Sequence, residues 1–456
     1  MKLQKFVLFL GDIFGFYLAL VLTLLIRYGA EGFYEAFVIH FLPFTILFFV
    51  WFLVFLMSGL YENEILDAGS LFQEKLAKTM LAGFIIGIVL FYTVPAFGIA
   101  PKTNLALDAL IASILIFAWR KLMALVFAKS AKKNILFFGF SEEAKKLCEF
   151  LKSHPSLGYN PLAIIYPKNG KSAQTSLLSF ELNHKTPLII KENNISLVVA
   201  LEDIRSERDF LSFIYQALPQ GIIFLDFPTF YERILGKIPV SLIHEIWFLE
   251  NLSEIKKNAY EALKRAFDLI MATIFGFITL ILFPFIALAI KLDSKGPVFF
   301  IHKRVGKNQK NFNLVKLRSM TVWDEKKLME KGEMKWTQEK DERITRVGKF
   351  LRKTRIDELP QVWNVLKGDM SFIGPRPELP DFVKELEKQI PHYQMRHLIK
   401  PGLTGWAQIN FPYGASVEDA MEKLQYDLFY VKNRSLFLDF TIALKTIITL
   451  MARSGR

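Results

Sequence analysis

Arg343–Glu378 reads RITRVGKFLRKTRIDELPQVWNVLKGDMSFIGPRPE, and this stretch sets the terms for the rest of the chain. An adjacent carboxylate pair, Asp357 and Glu358, comes directly after a basic run of Lys349, Arg352, Lys353 and Arg355. A helical segment follows, and then Arg376, held between Pro375 and Pro377. Two acids among many bases suit a phosphate diester or a diphosphate with a divalent metal. The bases hold phosphate oxygens, and the acids hold the metal or attack phosphorus. The competing reading of the same charges is a basic amphipathic helix whose acids are local ion-pair partners. The surrounding chain decides between them.

A chain of 456 residues has room for two or three domains. Its 52% hydrophobic and 14% aromatic content, with 44 phenylalanines, points to lipid contact. A net charge of +13 on so apolar a chain fits an anionic partner: membrane phospholipid, nucleic acid or a phosphorylated substrate, and the motifs further along the chain leave nucleic acid out as an expected partner. From Lys291 onward there are 31 Lys+Arg against 20 Asp+Glu, so a surplus of 11 sits with the carboxylate pair. The only cysteine, Cys148, excludes an intrachain disulfide and any cysteine-based zinc or redox site, and reads as a buried filler.

Residues 1–133 read as a four-helix transmembrane bundle, with spans near Phe6–Ile26, Phe37–Met57, Leu76–Phe97 and Leu105–Phe127. Each is close to the ~20 residues a crossing helix needs. A signal peptide is rejected for the first, since it lacks a small-residue cleavage site and more spans follow. Lys2, Lys5, Lys75, Lys78, Arg120, Lys121, Lys129, Lys132 and Lys133 flank one side, against Arg27 and Lys102 on the other. Both ends of the bundle are therefore expected on the cytoplasmic face. Asp12 and Asp108 lie near span ends, where interface placement or helix pairing is expected of them.

Residues 134–255 change to a soluble α/β pattern. NILFFGF, PLAIIYP, LVVAL and GIIFLDFP alternate with helical segments, implying a parallel, Rossmann-like sheet. The first turn, Gly139-Phe140-Ser141-Glu142-Glu143-Ala144, keeps one glycine and puts two glutamates where a pyrophosphate would sit. The expectation is a degenerate domain without bound NAD, serving regulation, spacing or dimer contact.

Ala266–Ile290 is again long enough to span, with Pro284 placed to bend or break it. A full fifth crossing would export the most basic third of the chain, against the positive-inside trend. A re-entrant helix–break–helix over 262–291 is expected, with a simple fifth span as the alternative.

Beyond it, GPVFFIHKRVGKNQKNFNLVKLRSM, the opening stretch, IKPGLTGWAQIN and YDLFYVKNRSLFLDF resemble the bacterial sugar transferase family, the polyprenyl-phosphate hexose-1-phosphate transferases. The resemblance covers Ala262 to Met451 in long ordered blocks. The bundle and degenerate α/β domain look like the large branch of that family, and FPYGASVEDA resembles its exopolysaccharide type. The resemblance implies a mostly α, monotopic catalytic domain over 256–456, on the cytoplasmic side of a bacterial inner membrane. It implies transfer of sugar-1-phosphate from a UDP-sugar to undecaprenyl phosphate with release of UMP, starting exopolysaccharide or O-antigen assembly. By that resemblance Asp357 is the nucleophile, forming a phosphosugar–aspartyl intermediate, and Glu358 helps hold Mg2+ or manage protons. Arg376 is the leading phosphate clamp, with Lys303, Arg304, Lys316, Arg318 and Arg352 as further substrate contacts and Arg355 behind Arg352. Basic residues that miss the substrate would meet lipid headgroups.

Asp369 reads equally as site support or as a turn residue. Pro401, Gly402 and Gly405 should shape a tight loop, while Trp406, Gln408, Tyr413, Gly414 and Ser416 are lesser nucleotide candidates. His392 and His397 read as surface residues. Trp323–Asp341 reads as an exposed charged helix or mobile loop, and SLFLDFTIALKTIITLM as an interfacial helix. Two other classes compete. A membrane-tethered nucleotide-sugar dehydratase or epimerase would need an intact glycine fingerprint. A non-enzymatic membrane scaffold would leave Asp357 idle. Which sugar is moved is not written in the chain. A homodimer suits a membrane enzyme of several parts, although no stretch marks an interface.

Overall fold

The computed structural model describes residues 2–61, 70–93, 97, 102–129, 132–166, 177–181, 186–201, 208–217, 219, 221–252, 258–321, 344–411, 414 and 416–452. Tyr413 and the charged segment Trp323–Asp341 lie outside them. The chain divides into two compact units, Met1–Phe230 and Tyr231–Arg456.

In the first unit, helix α1 covers Lys2–Met57 and contains two of the expected spans. They are joined at Gly29, whose φ of 66° is a left-handed conformation that glycine adopts without a Cβ penalty. The two limbs then run antiparallel: Phe9 meets Phe52, Phe16 stacks on Phe48, and Tyr17 donates to Thr45 Oγ1. Helices α2 (Ser70–Thr93) and α3 (Lys102–Lys129) complete the bundle around a core of Phe16, Leu20, Phe44, Trp51, Phe55 and Ala112. Asp12 is fully buried, and it pairs helices rather than facing an interface. Arg120 meets its Oδ2 at 2.5 Å, and the Tyr61 hydroxyl donates to the same oxygen at 2.6 Å. Asp108 is also 0% exposed, contrary to the interface placement open to it.

The α/β part follows. Strands β1 (Lys133–Phe138), β2 (Tyr159–Tyr166), β3 (Leu178–Glu181), β4 (Ile195–Ala200) and β5 (Ile223–Asp226) form one parallel sheet in the order β3-β2-β1-β4-β5. Leu136 lies between Ala163 and Val198, which is why the middle strands read as unbroken apolar runs. Helix α4 (Glu142–Ser153) starts where Ser141 accepts the Ala144 N–H, so Ser141 is an N-cap. Helices α5 (Thr186–Glu192), α6 (Arg208–Ala217) and α7 (Phe227–Leu235) lie along the remaining chain. Cys148 is buried in α4, as expected of a filler.

The second unit takes in residues that the sequence reading left with the α/β domain up to 255. Ile238, Val240, Ile243 and Phe248, the last on α8 (Glu245–Asn251), pack with Val305, Val383, Leu386 and Leu424. Helix α9 (Asn258–Asp293) is assigned as one helix with Pro284 inside it. Strands β6 (Phe299–Val305) and β7 (Asn311–Leu317) form an antiparallel ribbon. Helices α10 (Arg346–Thr354), α11 (Val362–Lys367), α12 (Pro380–Gln389), α13 (Trp406–Asn410), α14 (Val417–Asn433) and α15 (Leu436–Ala452) surround a short parallel pair, β8 (Ser371–Ile373) and β9 (Gly402–Thr404).

Among the described residues, four helices are long and apolar enough to cross a membrane. They contain Phe6–Leu56, Lys75–Thr93, Thr103–Val126 and Ala259–Asp293. This is a membrane protein of mostly helical build.

Candidate active site

The carboxylate pair sits at a sharp change of direction. Thr345 caps α10 by accepting the Gly348 N–H, and Val347 N–H donates to Asp293 Oδ2, fixing the helix start against the end of α9. The helix ends at Arg355, a non-glycine residue with φ 59°. A 3-10 turn, Ile356–Gln361, then carries both acids into the fold. Left-handed backbone at a side-chain-bearing residue costs free energy that surrounding contacts must hold in place. The turn packs against β7, and Asn364 fixes that contact by accepting from Val315 N–H and donating to Asn313 O. Arg265 of α9 donates to the carbonyls of Val365 and Leu366, closing the end of α11.

Three cations converge on one oxygen. Lys316 Nζ lies 3.1 Å from Glu358 Oε1, Arg376 Nη2 3.5 Å and Arg355 Nη1 3.6 Å. Burial alone would raise the Glu358 pKa, but Lys316, Arg376 and Arg355 outweigh it and hold the carboxyl at about 2. Burial lowers the Lys316 pKa, and the charge of Glu358 opposes it. Asp357 is 7% exposed, and its Oδ1 has no hydrogen-bond partner among the described residues. Burial, then the charge of Glu358, pushes its pKa to about 6, against the pull of Lys316, Arg352 and Arg355. The two neighbours are thus split in role: Glu358 is a permanent anion saturated by cations, and Asp357 is a buried carboxyl with a free oxygen.

That split has a measurable sign. A folded-state pKa above the ordinary carboxyl value means that Asp357 favours folding in its protonated form. This contribution is lost as pH rises from about 4 through about 6. Activity requiring the ionised carboxylate runs the other way. In the free enzyme kcat/KM should climb tenfold per pH unit below about 6 and level off above it. A flat profile from pH 5 to 8 would remove Asp357 as the titrating nucleophile.

The GPRPE loop is held by backbone. Gly374 N–H donates to Thr404 O, Gly402 N–H to Pro375 O and Ser371 N–H to Pro401 O. A Cβ on Gly402 would lie 2.1 Å from Gly374 N, and one on Gly405 2.2 Å from Gly374 O, so this crossing admits only glycine. Pro401, Gly402 and Gly405 therefore shape the loop that presents Arg376. Arg396 donates to the Arg376 carbonyl at 3.0 Å while its guanidinium is buried against Asp427 at 2.7 Å and the Tyr393 hydroxyl at 2.6 Å. No local pattern in HYQMRHL marks Arg396 as the residue behind Arg376.

Several expected substrate contacts are placed elsewhere. Arg318 is 4% exposed and donates to the carbonyls of Ile290, Ser294 and Lys295. It closes the C-terminal end of α9 and does not reach the carboxylates. Lys303 is exposed and pairs in register with Asn313, whereas Lys316 opposite Phe300 and Arg304 opposite Phe312 share the other face of the ribbon. Strand alternation thus turns Lys303 away from Lys316. Arg304 braces the loop through Pro377 O at 3.4 Å and Glu378 at 3.9 Å. Arg352 is half-buried, and its charge acts on Asp357.

The lesser candidates are mostly structural. Trp406 Nε1 donates to Gly236 O, Gln408 Nε2 to Leu403 O, and Ser416 forms a reciprocal cap with Asp419 at the start of α14. Gly414 O accepts from Lys423. Asp369 is a turn residue 3.6 Å from Lys367. His397 is not on the surface. It is 6% exposed, and burial with the neighbouring Arg396 charge lowers its pKa to about 3. His392 packs at a tilt against the Phe248 ring.

Two adjacent carboxylates, Asp357 and Glu358, are present, but no group of three His, Cys, Asp or Glu gathers among the described residues. The unpartnered Asp357 Oδ1 is the kind of hard anionic oxygen that would suit Mg2+, with Glu358 next to it in sequence.

The family described as Bacterial sugar transferase matches residues 259–453. A UDP-N-acetylgalactosamine-undecaprenyl-phosphate N-acetylgalactosaminephosphotransferase of Aeromonas hydrophila is 42% identical over 224 residues, 49% of this chain and 51% of that one. The UDP-glucose:undecaprenyl-phosphate glucose-1-phosphate transferase of Escherichia coli is 40% identical across 41% of this chain and 39% of its own. This chain thus spans about half or less of the length of these two relatives. A UDP-galactose-lipid carrier transferase of Erwinia amylovora is 30% identical over 345 residues, covering 71% of this chain and 69% of its own. With the acid pair, its cation cluster and the glycine-held arginine in place, this extended match settles that the chain belongs to the bacterial sugar transferase family.

Proposed function

We propose that this protein moves sugar-1-phosphate from a UDP-sugar to undecaprenyl phosphate through a covalent intermediate on Asp357. The observation that carries this is a buried carboxylate with one free oxygen beside an acid already saturated by Lys316, Arg355 and Arg376. The names of the relatives support the substrates.

The chemistry is a double displacement. A carboxylate oxygen of Asp357 attacks the sugar-side phosphorus. The bond from that phosphorus to the bridging oxygen breaks, and UMP leaves with the electron pair. A phosphate oxygen of the lipid then attacks the same phosphorus, the aspartyl–phosphorus bond breaks, and a polyprenyl diphosphate sugar is released with Asp357 restored. Arg376 and Arg355 can exchange their contact with Glu358 for diphosphate oxygens, because both are more than two-fifths exposed. Mg2+ held by Asp357, with Glu358 beside it, would neutralise the diphosphate and make its phosphorus electrophilic.

Contacts of α9 support a placement at the bilayer. Its early residues Arg265 and Ala272 pack on α11 and β7, and its late residue Ile290 and the following Ser294 meet Leu317 and Arg318 of the same unit. Between them Phe277, Leu280, Ile281, Phe285 and Leu288 are exposed. Two ends bound to one domain support a re-entrant helix bent at Pro284, with the catalytic unit on the cytoplasmic side. The order of the parallel sheet supports the Rossmann-like reading. Glu142 and Glu143 in the first turn of α4 oppose a dinucleotide, which disfavours the dehydratase alternative.

The test is UMP release from a panel of UDP-sugars by the detergent-solubilised full chain. One sugar should be preferred, and chelation with EDTA should abolish release until Mg2+ is restored. Undiminished release in EDTA would remove the metal. Failure of every UDP-sugar, with undecaprenyl phosphate present, would overturn the proposal.

A further inference from the structure

The bundle of the first unit holds a second group of polar atoms that sugar transfer does not use. Asp108 is 0% exposed, and neither carboxylate oxygen has a partner among the described residues. Thr23 Oγ1 and Asn104 Oδ1 are likewise buried and unpartnered. The hydroxyls of Thr45, Thr79, Thr93 and Ser113 each bond the carbonyl four residues back, the ordinary arrangement within a helix, and the buried Thr23 hydroxyl does not.

Helix register brings these residues to one level of the bundle. Gly11 and Asp12 of α1 meet Trp119 and Arg120 of α3, and further along Tyr28 meets Asn104, so the first limb of α1 runs antiparallel to α3. Thr23 lies eleven residues after Asp12, and Asp108 eleven before Trp119. Eleven residues are about three helical turns, so each residue keeps the face that makes the first contact. Both arrive at one level of the α1–α3 interface. Asn104 lies one turn from Asp108 on the same side of α3.

The surroundings supply no counter-charge. Asp12 in the same bundle has Arg120, whereas no cation is paired with Asp108 among the described residues. His40 bridges Ala36 and Asn104: its Nδ1 lies 2.7 Å from Ala36 O, and its Nε2 lies 2.9 Å from Asn104 Nδ2. The Asn104 amide group also donates to Tyr28 Oη, which turns Oδ1 away from these partners. Four hard oxygens remain, two of them those of the Asp108 carboxylate. A monovalent cation would bring the group to zero net charge, whereas a divalent ion would leave a positive charge buried in an apolar bundle.

We infer that Thr23, Asn104 and Asp108 form a binding site for a small monovalent metal cation that fastens α1 to α3. The experiment is thermal melting of the detergent-solubilised full chain in NaCl, in KCl and in choline chloride at constant ionic strength. The wild type should gain about 3–6 °C for each tenfold rise in Na+ or K+ above the midpoint, and nothing from choline. Asp108→Asn, nearly the same shape, should melt independently of the cation. Identical melting of the wild type in all three salts overturns the site, as does an unchanged cation response in Asp108→Asn. Should Asp108→Asn not fold, Thr23→Val carries the test. A cation midpoint raised tenfold or more supports the site, and an unmoved midpoint overturns it.

Discussion

Asp357→Asn should abolish sugar-phosphate transfer, lowering turnover by at least ~10^3-fold, while the protein melts no lower than wild type. The amide keeps the shape of the side chain but cannot form the acyl phosphate. The stability half of the expectation comes from burial. A carboxyl whose pKa stands at about 6 in the fold, against an ordinary 3.8, disfavours folding by on the order of 2–3 kcal/mol once it is ionised. Removing the charge relieves part of that cost, so loss of activity cannot be assigned to unfolding. Stability given up at a nucleophile is a common trade. The measurement is single-turnover release of UMP from radiolabelled UDP-sugar with the lipid acceptor withheld. The wild type should release about one equivalent per site and retain labelled sugar phosphate on protein. An Asp357→Asn enzyme that turns over like wild type would falsify the covalent route and leave the family assignment standing.

The largest loss of stability should follow from separating Arg396 and Asp427. Both are buried, at 5% and 2% side-chain exposure, and the pair meets at 2.7 Å. Leaving one charge without the other costs about 3–5 kcal/mol, so Asp427→Leu or Arg396→Met alone should lower the melting temperature by roughly 6–20 °C. The double replacement Arg396→Met with Asp427→Leu should recover most of that, because no unpaired charge remains. It should not recover activity. The Arg376 carbonyl would still lack the Arg396 donor, and the guanidinium proposed to clamp phosphate would lose its fixed backbone. Arg396→Lys should fail as a rescue, since an ammonium cannot reach Asp427, Tyr393 and the Arg376 carbonyl with one planar fork. Full recovery of KM in the double variant would show that Arg396 serves stability alone.

How far each feature could be read depends on whether its cause is local. The apolar runs of the bundle, the alternation of strands and helices over 134–226, and the acid pair after a basic run are all written in contiguous residues. Length, periodicity and adjacency are enough to read them. Even the join at Gly29 and the glycines of PGLTG carry a local signature. Long-range geometry is different. Lys303 and Lys316 look equivalent in sequence, and only the register of β6 against β7 puts them on opposite faces. Arg318 sits in the same apparent strand as Lys316, yet the end of α9 claims its guanidinium. Arg396 is a polar residue in an unremarkable turn until α14 brings Asp427 against it. By itself the sequence determined that this is a membrane protein with an acid pair set after a basic run, because hydrophobic length and charge adjacency act over neighbouring residues. Only tertiary structure decided which cations reach Glu358, which oxygen of Asp357 stays free, and where residues 231–251 are buried. Those outcomes depend on contacts between residues tens to hundreds of positions apart, whose energies no local pattern encodes.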